Sequence, residues 1–535
     1  MSRNLKNIAL LILFPIIIPA QSFNIDWQSC FGGSEWDYAN DILAVDGGYL
    51  IAGVSASSDG DISFSHGVGD GWLIKVSNTG ELLWEKTFGG SSSENFYRIF
   101  PASQNTYFII ASSSSSDGDI SNDPYPDSGD LWLLKIDAEG NIIWEEIFGG
   151  TGWEQIPTGV TTSDGGLVAL VWSSSGDGDV SNHFGLWDAW MIKVNSDGEK
   201  QWDFTLGSPG QDVGQAIIQT SDGGFLVGVS AQLFEGGNIT CTPHNDEYSE
   251  AIIVKLDANL NIEWDRCYGG SQSEAVTDLK ELNDGYLIGA NSFSNDGDVS
   301  GNHGNSDIWI IKVDFDGNVI WQKCLGGSDY EDVRKTFINE FEEILIIGNT
   351  FSFDGDVSGN HSISGDYSDI WIVNIDSDGD LLWQQCFGGI ADEEIHFGFH
   401  HISENNFVIA GYTNNGPSYD VGCTPYGGNG DRDFWVFEVK DTTVSLQEQP
   451  AQVSALTTYP NPAKDYVCFE RKGKESSCRM EIGIYSASGL SVRELTLYPG
   501  ETLKVWDTRS IPAGIYFYRS LRQDGTAEYG KVVVE

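Results

Sequence analysis

A tryptophan that returns every 57 to 62 residues is the feature that most constrains how this chain can fold. Phe-Gly-Gly or a close variant follows each copy, and in five units a second tryptophan stands 12 residues earlier. A fixed period of this length indicates that each copy is one supersecondary unit of a repeat fold, so we interpret these tryptophans as core residues. The first set is Trp27, Trp84, Trp144, Trp202, Trp264, Trp321 and Trp383, and the second is Trp72, Trp132, Trp190, Trp309, Trp371 and the later Trp435.

Each repeat carries four strand signals, which in the first unit fall at 38–44, 49–55, 71–76 and 81–88. The turns between them are rich in Asp-Gly and Asn-Gly, which favour tight hairpins. Each unit is therefore predicted to be a four-stranded antiparallel meander. Consecutive units of this kind are typical of a β-propeller.

The count of units predicts a closed ring. There are seven units, and the last ends after 433–440 without a fourth strand, whereas residues 23–30 read as a fourth strand alone. If residues 23–30 complete the seventh unit, no sheet edge is left open to pair with another chain. We therefore predict an all-β protein, with a seven-bladed β-propeller over residues 23–440 that is closed by the N-terminal strand, and with a small immunoglobulin-like β-sandwich after it.

Acidic residues concentrate in the repeat region. The chain has 28 Lys and Arg against 79 Asp and Glu, and residues 21–450 alone hold 15 basic and 69 acidic residues, a net charge of −54. This balance excludes a nucleic-acid backbone as partner, because phosphate binding needs a basic surface. It also disfavours an anionic membrane surface. A hydrophobic content of 40% excludes a disordered acidic chain.

Many of these acids recur in the loop between the second and third strands, which has the form Ser-x-Asp-Gly-Asp-Val/Ile-Ser. In a meander this loop lies at the same end as the connection to the next unit, so one face should collect much of the charge. Two alternating aspartates with a third later in the loop offer the hard oxygen ligands that suit calcium. The alternative is that they form Asx-turns and bond their own backbone. The candidate calcium ligands are Asp59, Asp61 and Asp70; Asp117, Asp119 and Asp130; Asp177, Asp179 and Asp188; Asp296, Asp298 and Asp307; and Asp354, Asp356 and Asp369.

Three tryptophans, Trp36, Trp153 and Trp187, stand outside the repeat register on loops expected at this same face. Exposed aromatic rings beside carboxylates and amides are a means of stacking on sugars, so these residues are candidates for a glycan-binding surface. The alternative is that they pack over the central channel of the ring.

Cysteine positions predict two disulfides in the repeat region. One cysteine lies in the second-to-third-strand loop of each of the two units that lack Asp-Gly-Asp, and each has a strand-four cysteine to pair with. We predict the pairs Cys241–Cys267 and Cys30–Cys423, of which the second would lock the ring covalently. A third candidate pair is Cys468–Cys478, and Cys324 and Cys386 are expected to be unpaired.

The N-terminal residues 1–22 read as a secretory signal peptide, with Arg3 and Lys6 before an apolar stretch at 8–19. That stretch is too short to span a bilayer, and no other segment is long and apolar enough to do so. Export permits disulfides. Residues 441–458 are polar and without hydrophobic periodicity, and we interpret them as a linker.

Two resemblances support this organisation. The pattern Gly-x-x-Asp-x-Trp-Leu-x-Lys, followed by Phe-Gly-Gly-Ser, resembles β-propeller repeats in secreted proteins of Bacteroidetes-type bacteria. Residues 459–535 resemble the C-terminal sorting domain of the type IX secretion system, with Tyr-Pro-Asn-Pro at 459–462 and Gly-Lys-Val-Val at 530–533. The second resemblance implies that the translocon and its sortase are partners, and that the protein is secreted or attached to the outer-membrane surface.

The function that these features favour is binding or adhesion at the cell surface, with a glycan or another surface ligand and with calcium as the one cofactor. An extracellular polysaccharide-degrading enzyme and a structural surface-layer protein are the alternatives. The sequence lacks the Gly-x-Ser-x-Gly and His-Glu-x-x-His motifs. We therefore predict no catalytic residues.

Overall fold

A computed structural model describes residues 23–441, except 127, 233–235, 246, 340, 404–405 and 427–430, and residues 456–534, except 472–478, 487–490, 510 and 523–526. The chain divides into two compact units, Met1–Thr443 and Val444–Glu535. The predicted signal peptide and most of the predicted linker lie outside the described residues. The described residues contain strands and no helix, which confirms the predicted all-β class.

The described part of the first unit forms seven four-stranded sheets. In chain order its strands are β1 (Phe23–Phe31); β2 (Asp37–Val45), β3 (Gly48–Ser55), β4 (Asp70–Ser77) and β5 (Leu82–Phe88) of sheet 1; β6 (Glu94–Pro101), β7 (Tyr107–Ser113), β8 (Asp130–Ile136) and β9 (Ile142–Phe148) of sheet 2; β10 (Glu154–Thr161), β11 (Leu167–Ser173), β12 (Asp188–Val194) and β13 (Lys200–Leu206) of sheet 3; β14 (Asp212–Gln219), β15 (Phe225–Ala231), β16 (Glu250–Leu256) and β17 (Ile262–Tyr268) of sheet 4; β18 (Glu274–Glu281), β19 (Tyr286–Ser292), β20 (Asp307–Val313) and β21 (Val319–Leu325) of sheet 5; β22 (Glu331–Ile338), β23 (Ile344–Thr350), β24 (Asp369–Ile375) and β25 (Leu381–Phe387) of sheet 6; and β26 (Glu393–Ser403), β27 (Asn406–Thr413) and β28 (Asp433–Asp441) of sheet 7.

Sheets 1 to 6 are antiparallel meanders of consecutive strands. Sheet 7 has the order β26-β27-β28-β1, with Phe23 opposite Asp441 and Phe31 opposite Phe434 in the β1–β28 pair. The first strand of each sheet contacts the first strand of the next, and β26 contacts β2. The N-terminal strand is thus the fourth strand of a sheet whose other three strands come from the far end of the unit.

The second set of tryptophans is fully buried in the hydrophobic core, as predicted, with one in every sheet except sheet 4. Trp309 is fully buried, and its indole Nε1 donates to Gln322 Oε1 on the fourth strand at 2.8 Å. In sheet 7, Trp435 donates instead to Gln28 Oε1 on β1 at 3.0 Å. Because β1 supplies the partner that a fourth strand supplies elsewhere, the N-terminal strand fits the sheet in packing as well as in register.

The first set of tryptophans makes contacts between neighbouring sheets. These residues are half-buried on the fourth strands, where they face the third-to-fourth-strand turn of the following sheet. Trp321 Nε1 donates to the carbonyl of Ser377 at 3.0 Å, and Trp264 Nε1 donates to that of Phe315 at the same distance. They therefore join neighbouring sheets rather than fill one sheet's centre.

The disulfides Cys30–Cys423 and Cys241–Cys267 are both present, which confirms their prediction. Cys324 and Cys386 are buried free thiols, also as predicted. Cys468 carries a free, buried thiol among the described residues, and Cys478 lies outside them.

The second unit has two antiparallel sheets that share one core. The first sheet pairs β29 (Leu456–Tyr459) with β30 (Tyr466–Arg471) and β30 with β33 (Leu503–Asp507); the second has the order β32 (Ser491–Leu497), β31 (Met480–Ser486), β34 (Gly514–Arg522) and β35 (Ala527–Val534). Phe469 and Val467 from the first sheet pack with Ile482 and Tyr516 from the second, so the unit is a small β-sandwich.

Candidate functional site

Hydrogen bonds join the two sets of loops that the sequence predicts at one end of the sheets. Asp59 Oδ1 accepts from the backbone N–H of Ser34 at 2.8 Å, and Asp61 Oδ2 accepts from that of Gly32 at 3.2 Å. The N–H of Asp61 donates in return to the Gly32 carbonyl at 2.9 Å. The same bonds recur at Asp117 and Asp119, Asp177 and Asp179, Asp296 and Asp298, and Asp354 and Asp356.

These first two aspartates therefore clamp the Gly-Gly connection that leads into their own sheet. This arrangement differs from the Asx-turn alternative, in which each side chain would bond its own loop, because the donors belong to the preceding connection. The clamp holds neighbouring sheets together through backbone groups that would otherwise lack partners.

The third aspartate of each set lies elsewhere. Asp70, for example, begins the third strand and stands beside Gly89 and Glu94, which belong to the junction with the following sheet. The structure thus divides each predicted calcium set over two junctions and does not bring its three carboxylates together. The third aspartates of the other four sets, which also begin third strands, are Asp130, Asp188, Asp307 and Asp369.

Each of the seven sheets begins its first strand with an acid, and five of these acids are the partners of the five third aspartates. Sequence reasoning did not select these residues as site residues, although a signal was present, because each stands four residues after the second residue of its Gly-Gly connection. They are Asp37, Glu94, Glu154, Asp212, Glu274, Glu331 and Glu393.

Loop histidines lie beside the third aspartates. His303 Nδ1 is 2.7 Å from Asp307 Oδ2, and His361 Nδ1 is 2.8 Å from Asp369 Oδ2. The bond to Asp369 is the main cause that raises the pKa of His361 above its ordinary value. Among the described residues, no group of three or more His, Cys, Asp or Glu side chains is arranged to hold a metal ion.

A cavity of about 640 Å³ opens where sheets 7, 1 and 2 meet. It is built mainly from alternate residues at the beginnings of β2, β6 and β26, because successive strand side chains point to opposite faces. Its lining includes the rings of Trp36, Tyr38, Tyr97 and Tyr412 and the polar groups of Asn40, Asn95, Glu394, His396 and Arg432.

Arg432 organises the aromatic wall of this cavity. Its guanidinium carbon lies 5.2 Å from the ring centroid of Tyr38 and 4.7 Å from that of Tyr412, and Nη1 donates to the Tyr38 hydroxyl at 2.7 Å. Trp36 stands 5.3 Å from Tyr38, centroid to centroid, and its side chain is 39% exposed. The cation–π contacts orient two rings around one charged group, and Trp36, packed beside Tyr38, forms the open edge of the wall.

The polar side of the cavity carries two groups with shifted pKa values. Burial, and then the positive charges of Arg334 and Arg432, lower the pKa of His396 to about 4. His396 is therefore neutral, and because Asn40 Oδ1 at 2.8 Å can only accept, Nδ1 carries the proton and donates. Burial and then the charge of Asp392 raise the pKa of Glu394.

Acidification from pH 7 to pH 4 is expected to destabilise the protein through His396. Since its pKa in the folded chain is below the unfolded value of about 6.5, the unfolded chain takes up the proton first, and unfolding becomes more favourable as the pH falls. We expect this residue to contribute about 2 to 3 kcal/mol over that range. Urea unfolding of the wild type and of His396→Asn at each pH checks it. If the free energy of unfolding fell equally steeply with pH in the two chains, the attribution of this pH dependence to His396 would be wrong.

The three tryptophans predicted as ligand-face aromatics separate in the structure. Trp36 lines the cavity, whereas Trp153 and Trp187 are not part of its lining. Trp153 occupies the equivalent position in sheet 3 and is 47% exposed, and Tyr330 does so in sheet 6. Tyr330 was missed because the sequence search followed tryptophan alone.

Residues 457–535 match the family model described as "Secretion system C-terminal sorting domain". This domain implies recognition by the type IX secretion machinery, and the chain is a secreted, surface-directed protein. No helix among the described residues is long and apolar enough to cross a membrane.

The chain is also similar to the regulatory protein FlaEY of Caulobacter vibrioides, with 22% identity over 223 residues. That match covers 39% of this chain and 23% of FlaEY, so the chain spans less than a quarter of that protein. Among solved structures, the BBS1N chain of its complex with ARL6DN has a TM-score of 0.41 at 8% identity, covering 79% of this chain and 98% of its own. The Pan2 WD40 domain of Neurospora crassa has a TM-score of 0.38 at 9% identity, covering 78% and 96%.

Proposed function

We propose that the first unit is a closed seven-bladed β-propeller that binds a carbohydrate in the cavity between sheets 7, 1 and 2, and that the sorting domain delivers this binding unit to the cell surface or the medium. Ring closure is supported by a hydrogen bond repeated at each junction. The N–H of Asp37 in sheet 1 donates to the Arg432 carbonyl in sheet 7 at 2.6 Å. The other six are Glu94 to Gly69, Glu154 to Gly129, Asp212 to Trp187, Glu274 to Ser249, Glu331 to Ser306 and Glu393 to Ser368.

The single observation that carries the carbohydrate proposal is the pairing of a half-exposed ring with converging polar groups in one cavity. Trp36 offers an apolar face on which the C–H side of a sugar ring can lie. Asn95, Glu394 and Arg432 offer donors and acceptors for its hydroxyl groups. A volume of about 640 Å³ lies within the ordinary range for small-ligand sites.

Glycan binding should depend on Trp36. A glycan array with the chain 23–535 identifies a ligand, and calorimetry then measures its affinity for the wild type, Trp36→Ala and the matched control Trp153→Ala. We expect Trp36→Ala to raise Kd at least about tenfold, which is about 1.4 kcal/mol, and Trp153→Ala to leave Kd unchanged. A wild-type chain that binds no glycan, or two variants that weaken binding equally, would overturn the proposal.

A polysaccharide-degrading enzyme is a second candidate, favoured by the raised pKa of Glu394 within the cavity. A carboxyl group whose pKa is raised by burial is suited to act as a general acid. Release of reducing ends by the wild type, lost in Glu394→Gln with glycan affinity retained, would favour this reading over binding alone. Ordered assembly of the chain without glycan binding would favour a structural role in a surface layer.

A further inference from the structure

Seven pairs of carboxylates are buried at the junctions between sheets. Each pair joins the acid that begins the third strand of one sheet to the acid that begins the first strand of the next, and none of the fourteen side chains is more than 2% exposed. The pairs are Asp70 and Glu94, Asp130 and Glu154, Asp188 and Asp212, Glu250 and Glu274, Asp307 and Glu331, Asp369 and Glu393, and Asp433 and Asp37.

The glutamates of these pairs accept hydrogen bonds on both oxygens, as Glu331 does from Thr350 and Gly327, whereas most of the aspartates accept on one oxygen only. Asp307 Oδ2 accepts from the N–H of His303 at 3.1 Å, but Asp307 Oδ1 is buried with no hydrogen-bond partner among the described residues. The same holds for an Oδ1 atom at six of the seven junctions. The exception is the Glu250 pair, because both Glu250 oxygens have partners, Oε1 in the N–H groups of His244 and Asn245 and Oε2 in the His244 ring. The aspartates with an unpartnered oxygen are Asp37, Asp70, Asp130, Asp188, Asp212, Asp307, Asp369 and Asp433.

The unpartnered oxygen points towards the other acid of its pair. The position that a Cβ on Gly326 would take lies 2.8 Å from Asp307 Oδ1 and 2.5 Å from Glu331 Oε2. At the junction of sheets 7 and 1, the equivalent position on Gly32 lies 2.5 Å from Asp433 Oδ1 and 2.7 Å from Asp37 Oδ2. In each case carboxylate oxygens from two neighbouring sheets approach the same glycine so closely that no side chain would fit there.

Two like charges in such a space are unfavourable unless something between them compensates. Burial is the largest cause that raises the pKa of Asp433, to about 7, and the charge of Asp37 raises it further. The pKa of Glu331 is raised in the same way by burial and by Asp307. Buried charges in proteins are ordinarily paired or coordinate metals.

We propose that each of the six junctions with an unpartnered carboxylate oxygen binds one hard divalent cation of the calcium class. The ligands would be the two carboxylates of a pair, with neutral oxygens completing a shell that calcium accepts in varied number and geometry. This set differs from three aspartates of one loop, since its members come from two neighbouring sheets.

The net charge of −54 over residues 21–450 makes the uptake of cations favourable for the whole unit. An ion at each junction would join one sheet's third strand to the next sheet's first strand. The cations would therefore hold neighbouring sheets together, and at the junction of sheets 1 and 2 the ligand Glu94 also lines the cavity.

The experiment uses the chain 23–535 with calcium chloride or a chelator at pH 7.5. The test variant carries Asp130→Asn, Asp307→Asn and Asp369→Asn, because an asparagine amide in place of Oδ1 would donate to the facing glutamate and remove the need for a cation. The matched control, Asp197→Asn with Asp316→Asn and Asp378→Asn, removes three exposed aspartates from turns between third and fourth strands. Bound calcium is counted by elemental mass spectrometry after desalting, and melting is followed by tryptophan fluorescence.

We expect about six calcium ions on the wild type and the control and about three on the test variant, with calcium raising the wild-type Tm by about 10 °C. In chelator the test variant should melt above the wild type, which a merely damaged fold would not do. Equal calcium counts for the wild type and the test variant would overturn the proposal. The proposal would also be overturned if calcium did not change the wild-type Tm and if, in chelator, that Tm rose as the pH was lowered from 8 to 6. The carboxylate pairs would then hold protons rather than cations.

Discussion

Replacing Cys30 and Cys423 together by serine is expected to lower the free energy of unfolding by about 5 kcal/mol. The bond between these residues closes a loop with a sequence separation of 393. The longer the loop that a disulfide closes, the more conformational entropy it removes from the unfolded chain. The same bond ties β1 to sheet 7, so its loss should also make that strand the first to detach.

The second disulfide is the matched control for this measurement. Cys241 and Cys267 are separated by only 26 residues, so the double serine variant there should lose about 3 kcal/mol. Urea unfolding of oxidised wild type and both double variants, followed by tryptophan fluorescence, gives the comparison. If the two losses were equal, or if the Cys30 variant were as stable as the wild type, a long-range closing role for the bond would be excluded.

Trp309→Ala is expected to cost about 4 kcal/mol of unfolding free energy. The side chain is fully buried in its sheet's core, where it packs with Ile253, Ile288 and Ile311, and its indole N–H bonds Gln322. Truncation therefore removes a large apolar volume and one hydrogen bond to the half-buried Gln322 amide.

Trp321→Ala tests whether position rather than residue type decides the cost. Trp321 lies on a fourth strand of the same sheet, is half-buried, and bonds a carbonyl of the following sheet. Since part of its surface already meets solvent, we expect a loss of about 2 kcal/mol. Denaturant unfolding of both variants measures the two losses of unfolding free energy. A loss for Trp321→Ala as large as that for Trp309→Ala would contradict the division of the tryptophans into a core set and a junction set.

Several features of the fold followed directly from spacing along the chain. The repeat period predicted four-stranded units, and the lone strand signal at 23–30 predicted a partner at the far end of the region. The cysteine register then selected Cys30–Cys423 and Cys241–Cys267 from all possible pairs. These inferences succeed because strand alternation, turn residues and repeat register are local sequence patterns that recur in every repeat.

The candidate sites were only partly predictable. Trp36, which its place outside the repeat register singled out as a ligand-face aromatic, lines the cavity. Arg432 was not selected, although it lies against Tyr38 from 394 residues away. The calcium hypothesis stays a prediction, but its loop sets do not meet in space, since Asp61 and Asp70 share a loop yet lie at different junctions.

By itself the sequence determined the all-β class, the repeat, the two disulfides and the export route, because each is recorded in residues at fixed spacing. Only the tertiary structure decided which carboxylates meet. Neighbouring sheets place the start of one third strand beside the start of the next first strand, so Asp307 faces Glu331 while Asp296 of its own loop turns to the preceding junction. Spacing within one loop carries no information about which neighbouring sheet each side chain will face.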